Sequence, residues 1–312
     1  MNTIAVAIIT KEREEKIVRC LLSLQNQTIQ PQEILIIDTA KNPRLKKVIL
    51  SLNSSIPIKY LHSPLSNVAV ARNIAINTAK TTLLCFIDDD CILKKNYIKK
   101  ALEYFDNVPV KLSVTYLVGK SKDYKSTSLA AKAEFVFSNY WYDQKIQTTY
   151  PYLTPFNFDT KNVVLLLKVF KQHNVLFPEQ FQLRGYDSSD TALGFILHSL
   201  NIKGIQLKDM ILWHDDGVNV RQLLSKQFFK GIIANKIAIF WNKPEEFVDL
   251  HFSFRKIMSW KAEFLLYFKN PIIPRLTAVD KVVLFTIIKM RVWSFTLGYW
   301  LATKYPKLMS GM

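Results

Sequence analysis

The sequence predicts an α/β fold built on a parallel sheet with helices on both faces. Three observations predict it. Short apolar runs suited to buried strands alternate with helically spaced stretches through the first ninety residues. These runs end in polar clusters, at Thr10–Arg13, Asp38 and Asp88–Asp90, and such sheets bind ligands beyond the carboxyl ends of their strands. Glycine is scarce, 8 in 312 residues, with no G-x-G-x-x-G and no G-x-x-x-x-G-K, which argues against the glycine-rich dinucleotide and P-loop versions of the fold.

Taken in order, Ile4–Ile9 is a strand, Thr10–Lys16 a polar loop, and Ile17, Leu21, Leu22 and Leu24 mark a helix closed near Pro31. Glu33–Asp38 is a second strand ending in a carboxylate. A helix around residues 43–52, a third strand at Ile56–Leu61 and an alanine-rich helix at Val68–Ala79 follow. Leu83–Ile87 is the fourth strand, and it runs straight into Asp88, Asp89 and Asp90. Three adjacent carboxylates repel one another unless a cation or a set of donors sits among them. This strand end is therefore expected to hold or face a divalent metal.

Residues 111–160 are dense in aromatics, among them Tyr116, Phe137, Trp141, Phe156 and Phe158. They suit a core with loops folded over it, and equally the wall of a cleft that stacks sugars or bases. Asn162–Phe170 reads as a helix and Leu176–Phe181 as a link. The polar run Arg184–Asp190 opens a helix at Thr191–Leu200, with Asp187, Ser188 and Ser189 as candidate caps. Ile202–Leu207 and Met210–Trp213 read as two short strands closed by a polar turn at His214–Gly217, and residues 219–241 as a long amphipathic helix.

The totals bound the class. A hydrophobic fraction of 49% supports a real core, and three cysteines without a CxxC pair suit a reduced, cytosolic chain. Met1 leads directly into a strand-like run, so no signal peptide is expected. The net charge of +17 points to polyanions. No nucleic-acid module is recognisable and the strand-end cluster is acidic, so the expected partner is an anionic membrane surface and not a nucleic acid. From His251 to Met312 there are ten Lys or Arg against Glu263 and Asp280, punctuated by Trp260, Trp293 and Trp300. Lys289 and Arg291 interrupt the apolar stretches Val282–Ile288 and Val292–Ala302, short of the ~20 apolar residues of a spanning helix. A basic, Trp-bearing helix suits the membrane interface instead.

Several segments, in order, resemble the inverting GT-A glycosyltransferases of family 2. They are Ile8–Arg13, Leu22–Thr28, Ile36-Ile37-Asp38, Ala71-Arg72-Asn73 and Phe86–Asp90 in the first half. Further on come Thr160-Lys161-Asn162, Phe177–Phe181, Asp190–Phe195 and Trp213-His214, so the likeness spans roughly residues 3–235. It implies a GT-A (Rossmann-like, nucleotide-diphospho-sugar transferase) mixed sheet flanked by helices, with a C-terminal helical extension. Residues 1–110 would be the nucleotide-sugar-binding half, 111–218 the acceptor-binding half, and 219–312 the basic aromatic helical region. The implied reaction moves one sugar from a nucleotide-diphosphate donor, UDP-sugar above all, to an acceptor, a lipid-linked glycan at the cytosolic membrane face first and a peptide or small molecule as the alternative, with Mg²⁺ or Mn²⁺ as cofactor. Thr10, Glu12, Arg13 and Asp38 would border the base and ribose. Arg72 and Asn73 would order the carboxylates or a phosphate. Asp88 and Asp89 would meet the donor, and Asp88, Asp90 and His214 the metal. The family's base is the aspartate of a Glu-Asp pair before Leu-Gly-aromatic, which makes Asp190 the general base; Ser189 replaces the Glu and Ile196 a following Arg. A shifted register makes Asp187 the base. The Q-x-x-R-W element of processive members is missing, which implies single-sugar transfer. The departure at Ser189 also keeps a catalytically silent binding protein in view.

Overall fold

The computed structural model describes residues 1–107, 114–126, 128–138, 152–242 and 276–307. Trp141, Trp260 and the rest of residues 251–275 lie outside them. The chain forms two compact units: Met1–Tyr124 with Lys145–Gln180 and Ser189–Asp215, and Lys125–Gln144 with Phe181–Ser188 and Asp216–Met312.

The first unit carries the sheet. Its elements are β1 (Ile4–Thr10), α1 (Glu14–Gln25), β2 (Glu33–Asp38), α2 (Leu45–Ser51), β3 (Ile58–His62), α3 (Val68–Thr78) and β4 (Leu83–Asp88). After them come β5 (Cys91–Leu93), α4 (Tyr97–Asn107) and β6 (Val114–Asp123). The eight-stranded sheet is completed by β7 (Asn162–Leu166) and β10 (Lys203–His214), in the order β3-β2-β1-β4-β7-β6-β10-β5. The β3-β2-β1-β4 half is all parallel, as its alternation with helices requires. Strand β7 then runs antiparallel between β4 and β6, so the sheet is mixed. Ile4, Val6, Ile8, Ile34, Ile36, Cys85 and Ile87 are almost wholly buried in the core beneath it.

Two sequence readings change. Asn162–Phe170 is not one helix: β7 ends at Leu166 and a short helix α6 (Leu167–Gln172) follows. The apolar run Val163–Leu167 straddles the junction, and so short a run carries no period that separates a buried strand from a buried helix. The two short strands read before His214 are one, β10, whose pairing with β6 shifts register between Gln206 and Ile211. That irregularity carries the polar residues that looked like a break. Among the aromatics of the described part of 111–160, Tyr116, Phe137 and Phe158 are buried in the core, Tyr124, Phe135 and Phe156 are partly buried, and Tyr152 is exposed.

The second unit contains a helix α5 over residues 129–138 and the hairpin β8 (Gln182–Leu183) and β9 (Tyr186–Asp187). Its long helices are α8 (Val220–Phe240) and α9 (Ala278–Lys304). The remaining helix of the first unit, α7, spans Ser189–Ser199. Lys289 and Arg291 do not interrupt α9. Lys289 lies over the Phe285 ring, and Arg291 turns inward to Glu134, so both charges are accommodated on one continuous helix. By length and composition alone, α9 is long and apolar enough to cross a membrane, with 28% of its most apolar window buried against the protein.

Candidate active site

Register brings the polar strand ends together. Thr10 pairs with Asp38 across β1 and β2, and Ile9 with Asp88 across β1 and β4. All three side chains therefore lie at one edge of the sheet. On the other side, β5 turns back from Asp90 and pairs antiparallel with β10, opposing Cys91 to His214. This delivers His214 from more than a hundred residues away: its Nε2 lies 3.1 Å from Asp90 Oδ1.

The three carboxylates differ in surroundings. Asp89 is buried, accepts the Thr10 hydroxyl at 2.7 Å and meets Arg13 Nη1 at 3.0 Å. Burial raises its pKa to about 6, although Arg13 and Thr10 pull the other way. Asp90 is also buried, which favours the neutral acid, but His214, Arg13 and Lys16 outweigh burial and hold its carboxyl well below the usual carboxylate range. Its Oδ2 takes Arg13 Nη1 at 2.9 Å, with Lys16 Nζ 3.8 Å away. Asp88 is raised by burial and by the charge of Asp90, against the opposing pull of Arg72, His214 and Lys161. Two like charges at one strand end thus remain mutually destabilising.

A divalent cation suits this end. Asp90 Oδ1 is buried and accepts no aligned hydrogen bond, although the imidazole is close. Carboxylate oxygens with an imidazole nitrogen match Mg²⁺ or, better, Mn²⁺. The Cys91 sulfur lies within 4.8 Å of the Asp90 and His214 ligand atoms. It is a buried thiol that burial pushes far from ionisation, and it donates to the Lys161 carbonyl. It lines the group as a packing residue.

The remaining sequence-assigned residues sit in differing surroundings. Asp38 is fully buried; it accepts the Tyr60 hydroxyl at 2.5 Å and the Ala40 N–H at 2.8 Å. Glu12 is exposed and sits in the left-handed region at φ 56°. Asn73 clamps the chain itself: it donates to the Phe177 carbonyl and to Glu179 and accepts the Phe177 N–H. Arg72 is buried over the Phe177 ring and donates to Ser189 Oγ at 3.2 Å. That bond joins α3 to the first turn of α7, which carries Asp190. Asp190 accepts the N–H of Thr191 at 2.7 Å. Gly194 explains the Leu-Gly-aromatic match physically, because a Cβ there would sit 1.9 Å from the Pro155 carbonyl oxygen. Asp187 is on the β8–β9 hairpin, which belongs to the second unit.

The sequence reading assigned no role to Lys16, Arg19, Asp215 or Lys161. Lys16 and Arg19 share one face of α1 with Arg13, at helical spacing, and both reach Asp215. Lys161 is placed beside Asp88 by the pairing of Ile87 with Asn162, and it ion-pairs with Asp159. The α1 trio could have been found from spacing. Lys161 depends on β7 being a strand.

A mixed sheet of this order, with its carboxylates at the strand ends and helices on both sides, is the GT-A fold. The glycosyl transferase family 2 model matches residues 5–171, and the chain belongs to that family. No curated protein sequence matches it. Among solved structures, similarity extends to the mannosyltransferase PcManGT of Pyrobaculum calidifontis, in complex with GDP-Man and Mn²⁺. The two are 13% identical over 98% of this chain and 88% of that one, at a TM-score of 0.66. S. aureus TarS 1-349 in complex with UDP-GlcNAc is 14% identical over 97% and 92%, at 0.54. GalNAc-T7 with UDP, GalNAc and Mn²⁺ is 14% identical over 74% and 48%, at 0.51.

Proposed function

We propose that the protein is a metal-dependent inverting glycosyltransferase that moves one sugar from a nucleotide-diphosphate donor, UDP-sugar above all, to a lipid-linked glycan at the cytosolic membrane face. The observation that carries the reading is the approach of His214 to Asp90 at the end of β4, the strand that closes on Asp88. Family membership and the donors bound by the structural neighbours support it.

Asp88, Asp90 and His214 would hold Mg²⁺ or Mn²⁺, which when bound supplies positive charge facing the leaving diphosphate. Thr10, Glu12, Arg13 and Asp38 border the nucleoside, with Asp89 fixing Arg13 and Thr10 in place. Asp190 takes the proton of the acceptor hydroxyl as its oxygen attacks the anomeric carbon. The bond from that carbon to the diphosphate oxygen breaks on the opposite face, and the configuration inverts. Arg72 positions α7 through Ser189, which stands where the family pattern has Glu. In the shifted register Asp187 is the base. The exposed apolar side of α9, beside Lys281 and Lys304, supports attachment to an anionic membrane.

The test is a panel of UDP- and GDP-sugars assayed for hydrolysis and transfer with Mn²⁺, Mg²⁺ and chelator. One donor should be turned over, and chelator should abolish it. Turnover of no donor, with no effect of metal on nucleotide binding, would overturn the reading in favour of a silent binding protein.

A further inference from the structure

Part of the charge of the carboxylate triplet is balanced from within the protein, at Asp89 and Asp90. Arg13 donates through Nη1 to Asp89 Oδ1 at 3.0 Å and to Asp90 Oδ2 at 2.9 Å. It therefore holds the carboxylate that the metal reading needs, and it bridges it to a second one. The two acids are buried, whereas the Arg13 side chain is 52% exposed, so the guanidinium reaches inward from a position open to solvent. The preceding backbone is shaped for this. Glu12 adopts φ 56°, a left-handed conformation that a non-glycine residue holds only when its surroundings enforce it. The chain then enters α1 with Arg13 at the N-cap position, and Arg13 makes no side-chain cap of the helix. Its side chain serves the carboxylates instead.

We propose that Arg13 is a resident counter-ion that competes with the divalent cation for Asp90, and so couples metal uptake to the arrival of the nucleotide. The inference rests on the glycosyltransferase reading of the site. In the free protein, a cation approaching Asp90 and His214 meets a carboxylate already neutralised by the guanidinium at one oxygen. Lys16 adds a weaker share from 3.8 Å. A nucleotide diphosphate changes the balance in two ways. It brings negative charge to the ion, and it offers Arg13 oxygens to replace those of Asp90. Metal and nucleotide then bind with positive coupling, and the coupling is reciprocal.

The experiment is binding of Mn²⁺, followed by electron paramagnetic resonance and titration calorimetry, to the full chain with and without UDP or GDP, as the donor panel selects. Four variants are compared: Arg13→Gln, Arg13→Lys, Arg19→Gln and Asp90→Asn. Arg13→Gln should bind Mn²⁺ alone about ten- to a hundredfold more tightly than the natural protein, as expected on removing a charge-assisted contact. Its gain in Mn²⁺ affinity on adding nucleotide should shrink. Arg13→Lys should fall between, since it keeps the charge and loses the planar bridge. Arg19→Gln removes a charge of the same sign that bonds to Asp215 and neither Asp89 nor Asp90, so it should change affinity by less than about threefold. Equal Mn²⁺ affinity in Arg13→Gln and the natural protein would overturn the proposal while leaving the enzyme reading intact. So would an equal tightening by Arg19→Gln, which would reduce the effect to general charge. Mn²⁺ binding that survives Asp90→Asn unchanged would overturn the metal site itself. Thermal melts of each variant guard against misfolding, and a melted Arg13→Gln is replaced in the comparison by Arg13→Lys.

Discussion

At the residue scale, three neighbouring aspartates are made unlike by what reaches them. Asp89 faces Thr10 and Arg13, Asp90 faces His214 and Arg13, and Asp88 lies toward Arg72 and Lys161. Strand alternation alone would part them only into two faces; the turn after β4 and the antiparallel return of β5 do the rest. The candidate bases differ more sharply still. Asp190 begins a helix whose first turn is held by Arg72 through Ser189, while Asp187 sits on a two-residue strand paired with Gln182. A general base must be held near the proton it takes, and loss of one typically costs about 10²–10⁴-fold in rate. Asp190→Asn should therefore lower kcat by that range with donor affinity unchanged, and Asp187→Asn should lower it less than tenfold. The reverse pattern, read from initial rates and nucleotide affinity together, would move the base to Asp187.

At the element scale, α8 and α9 pack closely because glycines face each other's backbone. A Cβ on Gly231 would lie 2.1 Å from the Phe295 carbonyl oxygen, and one on Gly298 would lie 2.0 Å from that of Phe228. These contacts are with backbone, so no side chain can rotate away. Gly231→Ala or Gly298→Ala must push the helices apart, at a cost of about 1–3 kcal/mol for overpacking. Denaturant unfolding should register it as a lower midpoint. Elements also decide what the sequence could disclose. Strands β1, β2 and β4 were legible because each buried run stops at a polar end, and Asn67 caps helix α3 with its side chain. The Asp88–Asp90 cluster was legible for the same reason. Strand β7 was not, since the apolar run Val163–Leu167 spans the end of the strand and the start of the helix. The partnership of Arg13 with Asp89 and Asp90 was hidden as well, because it depends on tertiary register and on the left-handed turn at Glu12. His214 could be picked out as a residue type; its approach to Asp90 needed β5 to pair with β10.

At the scale of the whole molecule, the excess of positive charge is partly consumed inside. In the second unit, Glu134 is buried among Arg291, Lys226 and Gln227, which tie α5 to α8 and α9. Burial alone would favour the neutral acid, yet Arg291 and Lys226 prevail and depress its pKa from the usual 4.5. For a depressed carboxylate, the stabilisation is complete above the unfolded-state value and fades as pH falls through the folded one. This unit should therefore lose stability on acidification below about pH 4.5. Glu134→Gln, which leaves Arg291 without its counter-charge, should cost about 3–5 kcal/mol at neutral pH and flatten that acid dependence. Thermal melts across pH provide the check.

The surface of α9 bears on the proposed membrane attachment. Along α9, Val279, Val282, Met290, Trp293, Leu297 and Trp300 are exposed at helical spacing, a row of large apolar side chains on one side of a helix whose opposite side packs on α8. Isolated exposed apolar residues are ordinary, but a continuous row is not. Lys281, Lys304 and Lys307 lie within the same stretch of chain. On the proposed membrane, burial of a Trp side chain in the interface would add to the attraction of these lysines for anionic headgroups, and only the second contribution would be screened by salt. Vesicles containing phosphatidylserine should therefore bind the protein more tightly than neutral phosphatidylcholine vesicles, and the difference should narrow as salt is raised. Replacing Trp293 and Trp300 together by Ser should weaken binding to both kinds of vesicle by at least about tenfold. Undiminished binding by that variant in a flotation assay, with its melting curve unchanged, would assign this side of α9 to something other than lipid.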